Sequence, residues 1–199
     1  MVQTLVVPDP LTDLARLEGV PSGLAAARDA VDVVLTDRGL RALTGDQVAA
    51  ALLTGARASA RLTDDPERWA AGAIRLSTEV TSRLGQLSEL LTSRLESPAL
   101  VLAAIAHAEI ATVAPFGSAD GLVARAVERM VLISAGFDPR GVIVTEVGHL
   151  RRRTSYENLL RGYASGTVAG VRDWILHVAQ AAVDGAEGSP VARPVSTGG

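Results

Sequence analysis

The residues best suited to chemistry lie in the run Ala114-Pro115-Phe116-Gly117-Ser118-Ala119-Asp120-Gly121-Leu122-Val123-Ala124-Arg125. An apolar stretch precedes it and an apolar-periodic stretch follows it, so the run reads as a glycine-bearing loop between two helices. Such a loop presents backbone N–H groups at the positive end of the second helix dipole, a geometry that suits a phosphate. A plain turn with two glycines is the other reading. His107 and Asp120 are the nearby side chains that could take a proton, and Arg125 is the nearby cation. His107 sits in an apolar stretch, which also suits a buried, hydrogen-bonded core histidine. Arg125 would equally suit an ion pair inside the fold.

The spacing of this run resembles the signature of the Fic/Doc (Fido) superfamily, His-Pro-Phe-x-(Asp/Glu)-Gly-Asn-Gly-Arg-x-x-Arg, whose members move AMP or another phosphate-containing group onto protein hydroxyls. Pro115, Phe116, Gly121 and Arg125 match it. Ala114 stands at the family's catalytic histidine, Ser118 at its acidic metal ligand, Ala119 at a glycine, Asp120 at the asparagine and Leu122 at the first arginine. His107, seven residues before Ala114, sits where many members carry a histidine, and the stop Gly136-Phe137-Asp138-Pro139 is similar to the family's. The stretch 72–80, with Arg75, resembles the family's substrate-docking flap. Leu17-Glu18-Gly19 is similar to the end of an inhibitory motif, although Leu14 replaces its Ser/Thr.

The resemblance implies an all-α Fic-like domain of seven or eight helices over 1–183, with core motif 98–138. The flap at 73–81 is read either as a small β-hairpin that could accept a partner protein's strand or as helix. It implies ATP or another nucleotide as the cofactor class, with Phe116, Gly117, Ser118, Asp120, Gly121 and Arg125 as the binding residues. It also implies an ion pair between Glu18 and Arg125 as a regulatory contact. The departures argue against the chemistry. Ala114 has no proton acceptor, and losing a general base alone costs on the order of 10²–10⁴ in rate. Ser118 offers magnesium only a neutral hydroxyl, whereas the ion prefers carboxylates and phosphates. Leu122 cannot neutralise phosphate, and Asp120 adds a negative charge to the loop. The expectation is therefore a degenerate Fic-like protein, a binding or regulatory module without ordinary AMP transfer and without a metal ligand set, keeping at most a residual nucleotide or phosphate site at the loop. The alternative is a phosphate-group transferase rewired around Asp120 or His107, and a third reading is an oligomerising scaffold with no ligand at the loop.

Several elements must position these residues. Ser97-Pro98 starts the apolar helix that ends at Val113, which is apolar nearly all round and therefore central. Leu122 to Ala135 forms the second helix, with Val123, Ala126, Val127, Met130 and Val131 read as its inner face. Upstream, Leu11 to Glu18 reads as a short helix, Ser22 as the cap of a helix to Asp37, and Thr44 to Gln47 as a capping box. Leu84, Leu87, Leu91 and Leu95 mark a further helix. Downstream, 141–150 is irregular, Thr154 to Glu157 is a second capping box, and Ser165 caps a last helix carrying Val168, Trp174, Ile175 and Val178. The composition from Asp184 onward reads as a disordered tail.

Composition bounds the remaining options. The 199 residues suit one domain, and the hydrophobic share of 48% is ample for a core. The net charge of −3, with Arg151 to Arg153 as the single basic cluster, does not suggest a nucleic-acid partner. There is no cysteine, hence no disulfide or thiolate chemistry, and three histidines are too few to announce a zinc site. The start of the chain lacks signal-peptide features and no stretch suits a membrane span, so a cytoplasmic location is expected.

Overall fold

Pro98 opens the helix around which the rest is packed. A computed structural model describes residues 9–37, 43–63, 77–93 and 96–192. Among them are a 3-10 turn, Leu14–Arg16, and eight α-helices, with no strand. The helices are α1 (Val20–Thr36), α2 (Gly45–Leu62), α3 (Thr78–Thr92), α4 (Ala99–Val113), α5 (Asp120–Ser134), α6 (Thr145–Arg151), α7 (Arg153–Ala164) and α8 (Val168–Glu187). No helix among the described residues is long and apolar enough to cross a membrane.

Helix α4 follows from its composition. Nine of its fifteen residues are buried, including every residue from Ala103 to Ala108, so it is enclosed on all sides by α3, α5, α7 and α8. Its small side chains let the neighbours approach closely. Trp174 of α8 is fully buried against it, and its indole N–H donates to the Ala104 carbonyl at 2.8 Å, so the polar edge of the ring is satisfied. Asp9 ties the start of the described chain to the approach to α4, accepting from the N–H groups of Glu96 (2.9 Å) and Ser97 (2.7 Å).

Helix α5 closes where its sequence says it should. Gly136 adopts φ 74°, and the N–H of Phe137 turns back to the Leu132 carbonyl at 2.9 Å. The buried Asp138 carboxylate then accepts from Ile143 N–H at 2.8 Å and holds the turn that leads into α6. Residues 145–151, expected to be irregular, form that helix.

Glycine sets the spacing of the last layer. A Cβ on Gly148 would lie 2.0 Å from the Ala181 carbonyl oxygen, so α6 and α8 cross with backbones in contact. The histidines at 149 and 177 flank this crossing.

Helix boundaries differ from the sequence reading where another cap does the work. Thr44 and Gln47 form the expected capping box. Helix α1 instead begins at Val20 after a left-handed Gly19, and α8 is capped by the Thr167 hydroxyl, which accepts from Gly170 N–H. The Thr154 to Glu157 pattern is not a start, because α7 already begins at Arg153. The short helix expected over 11–18 contracts to the 3-10 turn. Asp184 does not begin a tail: α8 runs on to Glu187, and the buried Ser189 hydroxyl donates to the Val142 carbonyl at 2.7 Å. Of the flap at 73–81, residues 73–76, including Arg75, lie outside the described residues. Ser77 caps α3, so 78–81 are helical.

Candidate functional site

The loop between α4 and α5 is shaped by its own side chains. Ala114 ends α4 with φ 50° and ψ 55° and is the one non-glycine residue of positive φ among the described residues. That conformation costs an alanine roughly 1 kcal/mol. Pro115 is buried and Phe116 is 39% exposed. Asp120, 8% exposed at the first turn of α5, points back into the loop and accepts from Phe116 N–H at 2.7 Å. Its carboxylate therefore occupies an amide of the loop that an anion would otherwise use, and places negative charge at the helix start.

Arg125 runs back beneath the start of α5, where α2 and α7 enclose it. It is 2% exposed. Its Nε donates to the Ser59 hydroxyl at 2.6 Å, Nη2 to the Ser59 carbonyl (3.1 Å) and the Thr63 hydroxyl (2.8 Å), and Nη1 to the Tyr156 oxygen at 3.2 Å. The guanidinium lies under Gly121, where a Cβ would meet Nη1 at 3.0 Å. The Glu18–Arg125 pair is not formed. The Glu18 side chain is 92% exposed and lies 3.6 Å from Arg172, while Arg125 is enclosed by α2 and α7. Glu18 precedes α1 and pairs with Arg172 of α8, whereas the partners of Arg125 are Ser59, Thr63 and Tyr156.

Beyond Tyr156 the contacts continue into a buried cluster. The Tyr156 hydroxyl donates to His107 Nε2 at 2.7 Å. His107 Nδ1 contacts Glu128 Oε2. His149 Nε2 faces both oxygens of Glu128, at 3.1 and 3.0 Å, and His149 Nδ1 faces His177 Nε2 at 3.1 Å. His107, Glu128 and His149 are 0% exposed. Their ligand atoms lie within 4.8 Å of one another. The Trp174 ring packs edge-on against His107 with centroids 5.0 Å apart and lies parallel to His149.

One proton placement satisfies every contact. Ionised Glu128 only accepts, so His107 donates from Nδ1 and His149 from Nε2. With one proton per ring, His107 Nε2 accepts from Tyr156 and His149 Nδ1 accepts from His177. The histidines are neutral, and the charges of Arg125 and Glu128 balance. Burial pushes His107 down to about 4 despite the opposing pull of Glu128. Burial, with the adjacent His149, likewise pushes His177 down to about 3. Burial works to raise the Glu128 carboxyl, but the adjacent His149 and His107 rings, each donating an N–H to it, overcome this and hold it well below the usual range. Burial also pushes Tyr156 up to about 12.

Two further ion pairs brace this frame. Arg129 Nη1 contacts both Glu146 oxygens, at 3.1 and 3.0 Å, and its Nη2 donates to the Gly141 carbonyl at 2.8 Å. Gly55 of α2 lies against this pair, leaving no room for a side chain. Arg83 of α3 makes two bonds to Glu109 of α4, whose Oε1 also accepts from the Tyr163 hydroxyl at 2.7 Å.

Of the sequence-predicted residues, the structure gathers Phe116, Gly117, Ser118, Asp120 and Gly121 along the loop. It buries Arg125 beneath Gly121 and His107 in the core. Ala114 supplies strain but no functional group. The apolar-periodic reading of α5 was rotated, since Ala126 and Met130 are exposed and Arg125, Glu128 and Arg129 are buried. It missed Glu128, His149, Tyr156 and His177. A signal was present: charged residues at 125, 128 and 129 share a face of one helix, in a chain with only three histidines. No protein-family model matches the chain, and no curated protein matches it.

Proposed function

We infer that this chain is a Fic-like protein that has given up AMP transfer and works as a helical binding or regulatory module. The observation that carries the reading is the enclosure of Arg125, whose guanidinium directs most of its N–H donors to Ser59, Thr63 and Tyr156 and so has few left for a phosphate at the loop. The Asp120 carboxylate closing on Phe116 N–H supports it, because an incoming phosphate would meet a fixed negative charge. Nucleotide and magnesium do not fit this donor set: Ala114, Ser118 and Leu122 supply neither base nor carboxylate nor cation. The ligand on this reading is a protein, with the segment at 73–81 as its docking place by resemblance.

Thermal unfolding with ATP and ADP, with and without magnesium, tests the reading. A nucleotide present at 100 times its Kd would stabilise the fold by about 2.7 kcal/mol, a rise on the order of 5–10 °C for a chain of this size. No rise is expected, and no label should pass from α-labelled ATP to protein. Transfer of label to protein would reject the reading in favour of a rewired transferase.

A further inference from the structure

We propose that His107, Glu128 and His149 form a closed site for one divalent transition-metal ion of the zinc class. The donor set is two imidazole nitrogens and a carboxylate, which suits zinc and its neighbours in the first transition row. The chain has no cysteine to compete for the ion. The three residues come from three helices, α4, α5 and α6, and their ligand atoms converge within 4.8 Å in the middle of the fold. His149 Nε2 lies 3.1 and 3.0 Å from the two Glu128 oxygens, so both oxygens point toward the same nitrogen and can chelate an ion seated beside it. Four donor atoms are then available, the number zinc takes in structural sites.

The outer contacts have the form that metal-bound histidines require. A ligating imidazole is held by a partner on its other nitrogen. His107 Nε2 has the Tyr156 oxygen at 2.7 Å, and His149 Nδ1 has His177 Nε2 at 3.1 Å. Binding needs no oxidant and no lost group. Each ligating ring keeps one proton, which moves from the ligating nitrogen to the outer one: His107 Nε2–H then donates to the Tyr156 oxygen, whose own O–H rotates away, and His149 Nδ1–H donates to His177 Nε2, whose proton moves to Nδ1. The Glu128 carboxylate opens from its present contacts to admit the ion.

Distribution adds an independent argument. All three histidines of the chain lie in this one cluster, each buried. The same burial assigns the ion a structural role. With Glu128 and both ligating histidines fully enclosed, no coordination position faces a substrate, so the ion would fasten α4, α5 and α6 to one another. The site is separate from the loop and does not rest on the functional reading above.

The test uses the full chain without a histidine tag. Metal content is measured by elemental analysis as purified, and again after refolding from denaturant with Zn²⁺ or Co²⁺, since a buried site fills as the chain folds. The expected result is about one ion per chain, retained through gel filtration, with a visible Co²⁺ absorption band. The ¹⁵N signals of His107 and His149 should shift together on Zn²⁺ loading, and no surface histidine exists to give a false shift. Glu128→Gln should lose the bound ion. Less than about one ion per ten chains in both preparations, with imidazole signals unmoved by Zn²⁺, overturns the proposal. If Glu128→Gln does not fold, the metal content and imidazole spectrum of the unaltered chain decide alone.

Discussion

Arg125 and Glu128 sit one helical turn apart on α5 and are joined only through other helices, by way of Tyr156 on α7 and His107 on α4. Neither buried charge meets its opposite directly. Two neutral rings carry the connection, and their hydrogen bonds fix how three helices are seated.

Tyr156 is the link whose loss is easiest to read. Tyr156→Phe keeps the ring packing and removes the hydroxyl, leaving His107 Nε2 and Arg125 Nη1 each short of a partner. Unsatisfied buried groups cost about 1–3 kcal/mol. Urea unfolding should show a loss in that range, and an unchanged midpoint would mean the hydroxyl contributes nothing.

The metal-free protein should lose stability in mild acid. His107 titrates near 4 and His177 near 3 in the folded state, against about 6.5 in an unfolded chain. Between pH 6.5 and 4 the unfolded chain binds protons that the folded one refuses, so stability falls as pH falls. The groups facing these rings are Glu128, His149, Tyr156 and Arg125, enclosed with them, and the part-exposed Arg152 beside His177. The slope is up to about 1.4 kcal/mol per pH unit for each histidine kept neutral. A melting temperature constant from pH 7 to 4.5 would contradict the neutral assignment.

Gly148→Ala should be among the most damaging single changes. The new methyl would meet the Ala181 carbonyl, forcing α6 from α8 and His149 from His177. Overpacking of this kind typically costs 1–3 kcal/mol and occasionally more; with backbone as the obstacle we expect at least about 3 kcal/mol. Gly136→Ala, which meets no atom within 4 Å, serves as the comparison for simple backbone strain. Equal losses from the two changes would show that the close crossing is not the cause.

Introducing Ala114→His, Ser118→Asp and Leu122→Arg together should not confer AMP transfer. The three changes return a base, a metal ligand and a cation, but Arg125 remains bonded to Ser59 and Thr63, and Asp120 still closes the loop. Labelling with α-labelled ATP measures this directly, and incorporation by the triple variant would show that Arg125 can turn outward.

How much of this was legible depends on what each element advertises. Helix α4 was read correctly because a run apolar nearly all round, broken only by His107, Glu109 and Thr112, has one stable place. The stop at Gly136 and the box at Thr44 were legible because their chemistry is local. The buried face of α5 was not, because hydrophobic periodicity scores Arg125, Glu128 and Arg129 as solvent-facing, and only partners on α2, α4, α6 and α7 make their burial tolerable. Helix α6 was missed because seven residues containing Gly148 carry too little periodicity, and the helix is held by its crossing with α8. Glu18 was paired with Arg125 by analogy of motif, which carries no information about what lies between them.

Trp174 gives the core its own optical readout. Its indole lies against the rings of His107, His149 and His177, and the other tryptophan, Trp69, falls outside the described residues. A cationic imidazole withdraws excitation from a neighbouring indole far better than a neutral one. The brightness of Trp174 emission should therefore dim when a proton enters the cluster, which lets its occupancy be followed in real time without any added dye.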